Sequence, residues 1–528
     1  MILGQLHQAI RSSYKKAFDS EPPIFVVEPS KQKMFGDFST NVAMVAAKDL
    51  NTSPVLLAQK LVHELEQSPI FHSVSVTTPG FINFVIRPEH LLTVLREIIA
   101  KPDKFGKSDL GKEIRVLVEY VSPNPTGPLT LANGRGAFVG EAIAKVLEQY
   151  GCTVMRECYI NDRGNQVDEL GKTIIGAGEQ YAGKYLDEIK KRVKEKDARA
   201  AGEQAVAIIL EEMIKPVLRN IGINFDQYFS EKSLYQTGVY KRTIEQLKLK
   251  GLIYDADGAT WISTTRYGDD KDRVLVKTDG EQTYLASDIA YHSYKIERGY
   301  HRLITELGAD HAAEAKTLNQ IIEGALRDQF MWGGKMDFVL HQIVRLFKDG
   351  KEIKMSKRTG SYVPLDELID EVGSDVTRFF FLSKSVDTQI DFDIDLAKAA
   401  TSQNPVFYIQ YAYARISSIF RQFTKEDEFV IPDKITISHP LEKQLLLRII
   451  QFPDLVEEIA GDLQVHKLTH YAYALASDLH AFYEQLRVQG EDNEIAQSRL
   501  TILKATSLTI KKTLDLIGIS APSRMVKD

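Results

Sequence analysis

One stretch of the 528-residue chain constrains the fold more than any other. IRVLVEYV (Ile114 to Val121) is short, apolar and β-branched, the pattern of a parallel strand buried on both faces. A Pro/Gly-rich loop, SPNPTGPLTLANG, follows it. The next segment has apolar residues at Phe138, Val139, Ala142, Ile143, Val146, Leu147 and Tyr150, which are helical offsets, and Gly151 is a natural stop. CTVMRECYI then reads as a second strand. Strand, loop, helix and strand in this order make a βαβ unit. Its first loop must leave the carboxyl end of a strand and open onto a helix N-terminus, where open α/β sheets bind phosphates.

The rest of the chain arranges itself around that unit. Residues 1–110 read as a separate α/β domain: MILGQLHQAIRSSYKKAF has the spacing of an amphipathic helix, and SVSVTTPGFINFVI alternates like paired strands. Lys101 to Glu113 is polar and carries Pro and Gly, as a linker does. Residues 111–400 are expected to form the parallel-sheet domain, split at about 165–250 by a charged helical insertion. RVLVKTDGEQTYLAS reads as two strand-like runs about a DG turn, and HRLITEL and MDFVLHQIVRLF as further strands. Residues 401–528 read as an all-α domain.

Composition excludes several classes. Charged residues at 26% and hydrophobic ones at 44% are ordinary for globular proteins, which excludes disorder. Lys+Arg 66 against Asp+Glu 72 leaves a net charge of −6, so any polyanion site must be a local patch. Two cysteines, Cys152 and Cys158, cannot build a disulfide framework or a four-cysteine zinc site, and they fit a reducing, cytoplasmic setting. No apolar run reaches the ~18–20 residues of a membrane span, and the N-terminus lacks the apolar core of a signal peptide.

Two segments carry candidate chemistry. In SPNPTGPLTLANGRGA (Ser122 to Ala137), the prolines stiffen the loop, the glycines allow close backbone approach, and Thr130 and Asn133 enter the helix N-terminus. Either could be an ordinary helix cap, or both could face a nucleotide phosphate. KDGKEIKMSKRTGSYV (Lys348 to Val363) concentrates Lys348, Lys351, Lys354, Lys357 and Arg358, a basic loop able to follow charge that develops during nucleotidyl transfer.

Together these segments resemble the two signature motifs of class I aminoacyl-tRNA synthetases, His-x-Gly-His early and Lys-Met-Ser-Lys-Ser late. KMSKR at Lys354 to Arg358 is close to the second. GDFSTNVAM, PGFINF, VEYVSPNPTGPL, GRGA, YINDRGNQ, YLASDIAYH, GADH, DFDIDLA and NPVFYIQYAYAR narrow the resemblance to the arginyl-tRNA synthetase family, over nearly the whole chain. It implies a Rossmann-type catalytic domain of class I, with an N-terminal domain that touches the tRNA elbow and a helical anticodon-binding domain. It also implies a cytoplasmic monomer that uses ATP, with Mg²⁺ as its counter-ion, to join L-arginine to tRNA(Arg) through arginyl-adenylate once tRNA is bound.

Residue by residue, the resemblance assigns the reacting phosphates to Thr130, Asn133, Lys354 and Lys357. ATP contacts fall on Pro128, Leu129, Ala132, Gly134, Gly308, Asp310, His311, Met355 and Ser356. The arginine pocket falls on Glu119, Asn124, Tyr284 and Asp288, and tRNA contacts on Tyr408, Gln410, Tyr411 and Arg415. A guanidinium wants a carboxylate in forked geometry and a flat partner, which suits Asp288 and Tyr284, four residues apart and on one face if a helix starts there. The chain departs from the family pattern at Thr130-Leu131-Ala132-Asn133, which stands where the family has His-x-Gly-His. An active enzyme is expected, because Thr and Asn still donate hydrogen bonds. The competing reading is a paralogue that binds tRNA without forming adenylate.

Overall fold

The computed structural model describes residues 2–30, 32–353, 362–423 and 428–525. The amphipathic N-terminal segment is a helix, Ile2–Phe18, that buries Ile2, Leu6, Ile10 and Tyr14. Beside it lies an antiparallel sheet of β1 (Val27–Pro29), β2 (Phe38–Thr40), β3 (Phe71–Thr77) and β4 (Phe81–Ile86), in the order β1-β2-β4-β3. Its inner face carries Phe38, Phe71 and Phe84, all buried.

From residue 115 the strands are β5 (Arg115–Glu119), β6 (Thr153–Ile160) and β7 (Gln227–Ser230). Then come β8 (Ile253–Ala256), β9 (Ala259–Ile262) and β10 (Arg273–Val276), followed by β11 (Arg302–Gly308) and β12 (Lys335–His341). The last are β13 (Val344–Lys348), β14 (Lys351–Ile353) and β15 (Ile390–Asp393). Five of them form the central sheet in the order β12-β11-β5-β6-β7, every pair parallel. The chain runs outward from β5 through β6 to β7, then returns to the other side for β11 and β12. The strand order therefore reverses between β5 and β11, and the crevice outside the carboxyl ends at such a reversal is where open α/β sheets bind ligands.

Three sequence expectations need correction. The charged stretch after Gly164 is not only helical: it supplies β7, the edge strand of the central sheet. QTYLAS is not a strand, because β10 ends at Val276 and a helix starts at Tyr284; only Gln282 bridges back, to Val276. MDFVLHQIVRLF is two strands in two sheets, β12 in the central one and β13 in an outer one that pairs with β14 and β15. An Asp349–Gly350 turn with φ of +51° and +71° joins β13 to β14, the twist a two-residue hairpin favours.

After Asn404 the chain is helical: Pro405–Phe423, Pro440–Ile450, Phe452–Asp462, His466–Gln485 and Asn493–Ile517. Arg378 ties this bundle to the α/β body. It is fully buried, donates to the carbonyls of Ile221 and Ile517, and lies 4.7 Å from the Phe138 ring centroid. Among the described residues no helix is long and apolar enough to cross a membrane.

Candidate active site

The helix Leu131–Tyr150 begins where the first motif places it, and Thr130 is its N-cap. Thr130 Oγ1 accepts the Asn133 N–H at 3.2 Å, and Asn133 Oδ1 accepts the Thr130 N–H at 3.0 Å, so the two residues close a capping box. This arrangement does not remove them from the surface of the site. Both line a cleft of about 460 Å³ with Asn124, Pro128, Tyr181, Tyr185 and Tyr362. The capping role fixes the first helical turn, and the cleft lies at its positive end.

The helix packs against the sheet through two glycines. A Cβ on Gly136 would lie 2.2 Å from Glu306 Oε2, and one on Gly140 would lie 2.2 Å from the Tyr120 ring. Gly134 and Leu129, which the resemblance placed at ATP, also serve the packing. A Cβ on Gly134 would strike Leu365 at 2.5 Å, while Leu129 is buried and its carbonyl accepts the Leu365 N–H at 2.8 Å. Tyr362 donates to the Pro128 carbonyl at 3.0 Å, and Thr130 bridges to Pro364. The downstream end of the second motif is thereby fastened onto the first, more than 230 residues away. Lys354, Met355, Ser356 and Lys357 themselves lie outside the described residues. Ala132 is exposed on the first helical turn and does not line the cleft.

A second cavity, about 300 Å³, opens beside the first at the sheet reversal and shares Asn124 with it. It contains all four residues of the expected arginine pocket: Glu119, Asn124, Tyr284 and Asp288. Tyr284 is the first residue of the helix Tyr284–Glu297 and 58% exposed, so it stands at the rim; Asp288 lies one turn further in. The backbone leaving β5 is strained, with φ of +69° at β-branched Val121 and +32° at Ser122. Glu306, itself paired with His341, accepts the Val121 N–H at 3.4 Å and supports that turn.

The cavity is acidic. Glu119, Glu231, Asp288 and Glu314 all line it. Burial, then repulsion from Glu119, Glu231 and Glu314, pushes the Asp288 carboxyl up to about 7. Glu231 was missed by sequence reasoning. It starts a short helix after β7, is nearly fully buried, and is faced by the hydroxyls of Ser287 and Tyr159 and by Arg163. With its amide nitrogen turned inward, Asn161 donates to Glu231 Oε2 at 2.7 Å. Carboxylates crowded into a low-dielectric cavity demand a cationic guest.

Glu119 differs from the others in that a buried ammonium is in direct contact with it. The Lys295 ammonium, fully buried, contacts Glu119 Oε2, which Thr305 Oγ1 also reaches at 3.1 Å. Ser122 Oγ donates to Glu119 Oε1 at 3.0 Å. No motif pointed to Lys295, since its oxygen partners come from β5 and β11.

Gly308 closes β11, and Asp310 and His311 follow in one 3₁₀ turn. The Asp310 side chain is largely exposed, whereas His311 lines the acidic cavity. His311 Nδ1 donates to Glu314 Oε2 at 2.6 Å, which raises the His311 pKa. Of the four expected tRNA contacts, Tyr411 is exposed and stacks on Phe407, with ring planes 6° apart. Tyr408 is half-buried against His480, and Arg415 lies 4.5 Å over Tyr483 beside a surface cavity. Gln410 does not share their setting: its amide is bonded to Asp375 and Ser520, joining the helical bundle to the body. Among the described residues no group of three His, Cys, Asp or Glu side chains is arranged to hold a metal ion.

Comparison with known proteins places this architecture. Family models match along the chain: "Arginyl tRNA synthetase N terminal domain" at residues 4–86, "tRNA synthetases class I (R), catalytic domain" at 94–186 and 179–380, and "DALR anticodon binding domain" at 409–525. The arginine–tRNA ligase of Citrifermentans bemidjiense is 40% identical, with 96% of each chain covered. That of Bacillus subtilis is 38% identical, with 98% of each covered. The solved arginyl-tRNA synthetase of Thermus thermophilus has the same fold, with a TM-score of 0.79 at 22% identity over 99% of this chain and all of that one. With three family models laid end to end and near-full-length relatives at this identity, the chain belongs to the arginyl-tRNA synthetases, a class I family.

Proposed function

We propose that this chain ligates L-arginine to tRNA(Arg), using ATP and forming arginyl-adenylate as the intermediate. The observation that carries the reading is the acidic cavity at the sheet reversal, joined through Asn124 to a cleft at a helix N-terminus. A guanidinium supplies the charge that Asp288 and Glu231 lack, and its planar fork suits carboxylate partners in a way an ammonium does not. The neighbouring cleft suits a triphosphate, with Thr130 and Asn133 at its helical end.

In this reading the arginine carboxylate oxygen attacks the α-phosphorus, and the bond to the departing pyrophosphate breaks. The protein supplies no nucleophile. It aligns the reactants and offers donors to charge that builds on phosphate oxygens. Thr130 and Asn133 act from the helix N-terminus, and Lys354 and Lys357 from the segment bounded by Ile353 and Tyr362. Mg²⁺ arrives on the ATP phosphates as their counter-ion. Adenylate then passes its arginyl group to the terminal ribose hydroxyl of tRNA and releases AMP.

The same reading gives residues 1–110 to the tRNA elbow and residues 401–528 to the anticodon, with Tyr408, Tyr411 and Arg415 among the contacts. Aromatic faces and an arginine are what unpaired bases stack upon. The enzyme acts as a monomer. The test is exchange of labelled pyrophosphate into ATP with purified protein, with and without tRNA. Exchange that needs both arginine and tRNA supports the proposal. Exchange driven by another amino acid, or none from a folded protein that binds tRNA, defeats it.

A further inference from the structure

A cavity built for one cation keeps another in its wall. Lys295 does not line the cavity, but its three polar partners, Glu119, Thr305 and His292, all do. His292 Nδ1 lies 2.9 Å from the Asp288 carbonyl, which can only accept, so that nitrogen carries the ring proton. Burial first, and then Lys295, hold the ring neutral by driving its pKa well below the usual value. His292 Nε2 is therefore an acceptor, 3.5 Å from the Lys295 ammonium, with Thr305 Oγ1 at 3.2 Å. The three N–H donors of Lys295 thus have three acceptors, and the ammonium sits 4.2 Å over the Tyr291 ring.

The arrangement commits Glu119. One oxygen receives Lys295 and Thr305, and the other receives Ser122. No pair of oxygens on Glu119 remains for a forked donor, and Glu231 is already faced by Ser287, Tyr159 and Asn161, so the open acidic partner in the cavity is Asp288. A bare Glu119 would instead be a partner for any point-charge ammonium that reached it, from any direction. If Lys295 were only a strut, an apolar side chain of similar length would serve as well, since buried ion pairs contribute little net stability.

We propose that Lys295 is a specificity-determining residue: a resident ammonium that holds Glu119, so that an amino acid ending in an ammonium, such as lysine, finds no free carboxylate there. This rests on the arginine-charging reading above and deepens it. Selectivity here comes from occupying the competitor's partner in advance, not only from fitting the guanidinium.

The experiment compares kcat/KM for arginine and lysine in tRNA-dependent pyrophosphate exchange. In Lys295→Met the arginine-to-lysine ratio falls about tenfold or more, because a buried polar group that is freed and then paired by the wrong substrate changes discrimination on that scale. In the double variant Glu119→Gln/Lys295→Met the ratio recovers, since the bare carboxylate is gone. An unchanged ratio in Lys295→Met overturns the inference. A ratio that stays low in the double variant also overturns it, by pointing to cavity size. Thr305→Val, isosteric and gentler on folding, loosens the same oxygen and lowers the ratio by a smaller factor, about threefold; no change there, with Lys295→Met unfolded, counts equally against the proposal. Wild type without arginine-dependent exchange would defeat the functional reading itself. Wild type that exchanges normally, with the ratio unmoved in the variants, would defeat only the role of Lys295.

Discussion

Asp288 should make arginine binding depend on pH across the neutral range. Its carboxyl is pushed up to about 7 by burial and by Glu119, Glu231 and Glu314. The guanidinium needs the ionised form, so at acid pH the substrate must first displace a proton. The KM for arginine then scales as one plus the ratio of protonated to ionised Asp288, which falls about tenfold between pH 6 and pH 8. Linkage gives the sign for stability. A carboxyl whose folded pKa lies above its unfolded value binds more protons when folded, so the substrate-free protein loses stability as pH rises from about 4 to about 7. Asp288→Asn should therefore be more stable than wild type at pH 8, by an amount of order 1–4 kcal/mol, while binding arginine poorly. His311 lines the same cavity, and its pKa is raised by Glu314, so its protonation also disfavours arginine at low pH. The slope that belongs to Asp288 is the part that Asp288→Asn removes and His311→Gln leaves. Steady-state KM for arginine between pH 6 and 8, with thermal melts of the free proteins, measures both. A flat KM profile in wild type, or the same slope in Asp288→Asn, would refute the reasoning.

Three further outcomes follow from the geometry. Glu231→Gln should raise the KM for arginine about tenfold or more with a smaller change in kcat, because a charged hydrogen-bond partner of the bound substrate is lost; equal losses for a neutral amino acid analogue would argue against a guanidinium contact. Thr130→Ala should cost about 1 kcal/mol of stability as a lost cap and ~10²-fold or more in activation rate as a lost donor; a stability loss with unchanged exchange would confine Thr130 to the capping box. Cys152 and Cys158 are both buried with thiol pKa values pushed up by burial, so a thiol reagent should label neither in the native protein and both after unfolding; fast native labelling would contradict the packing of β6.

The parts of the fold written in local pattern were legible. The β5–helix–β6 unit follows from a β-branched run, helical apolar spacing and Gly151, which ends the helix at φ +104°. β7 was not legible, because QYFS is four residues long, amphipathic and embedded in charged helices, and only pairing with β6 makes it a strand. TYLAS reads as a strand by composition, yet Tyr284 and Asp288 share a helix face, and that face builds the cavity. Within the site, resemblance named the residues carried by motifs, and the structure brings Glu119, Asn124, Tyr284 and Asp288 to one cavity. Resemblance did not find Glu231, which begins a six-residue helix, or Lys295, whose role exists only once β5 and β11 are adjacent. Gly134 illustrates another limit: the motif does not say that the space a Cβ would fill there belongs to Leu365.

The most direct test is the charging reaction, with purified tRNA(Arg), ATP and labelled arginine, read as label carried on tRNA. Wild type is predicted to charge arginine, and Asp288→Asn to lose most of that activity at limiting arginine while keeping its fold and its binding of tRNA. A folded wild-type protein that binds tRNA(Arg) but transfers no arginine to it would contradict the account.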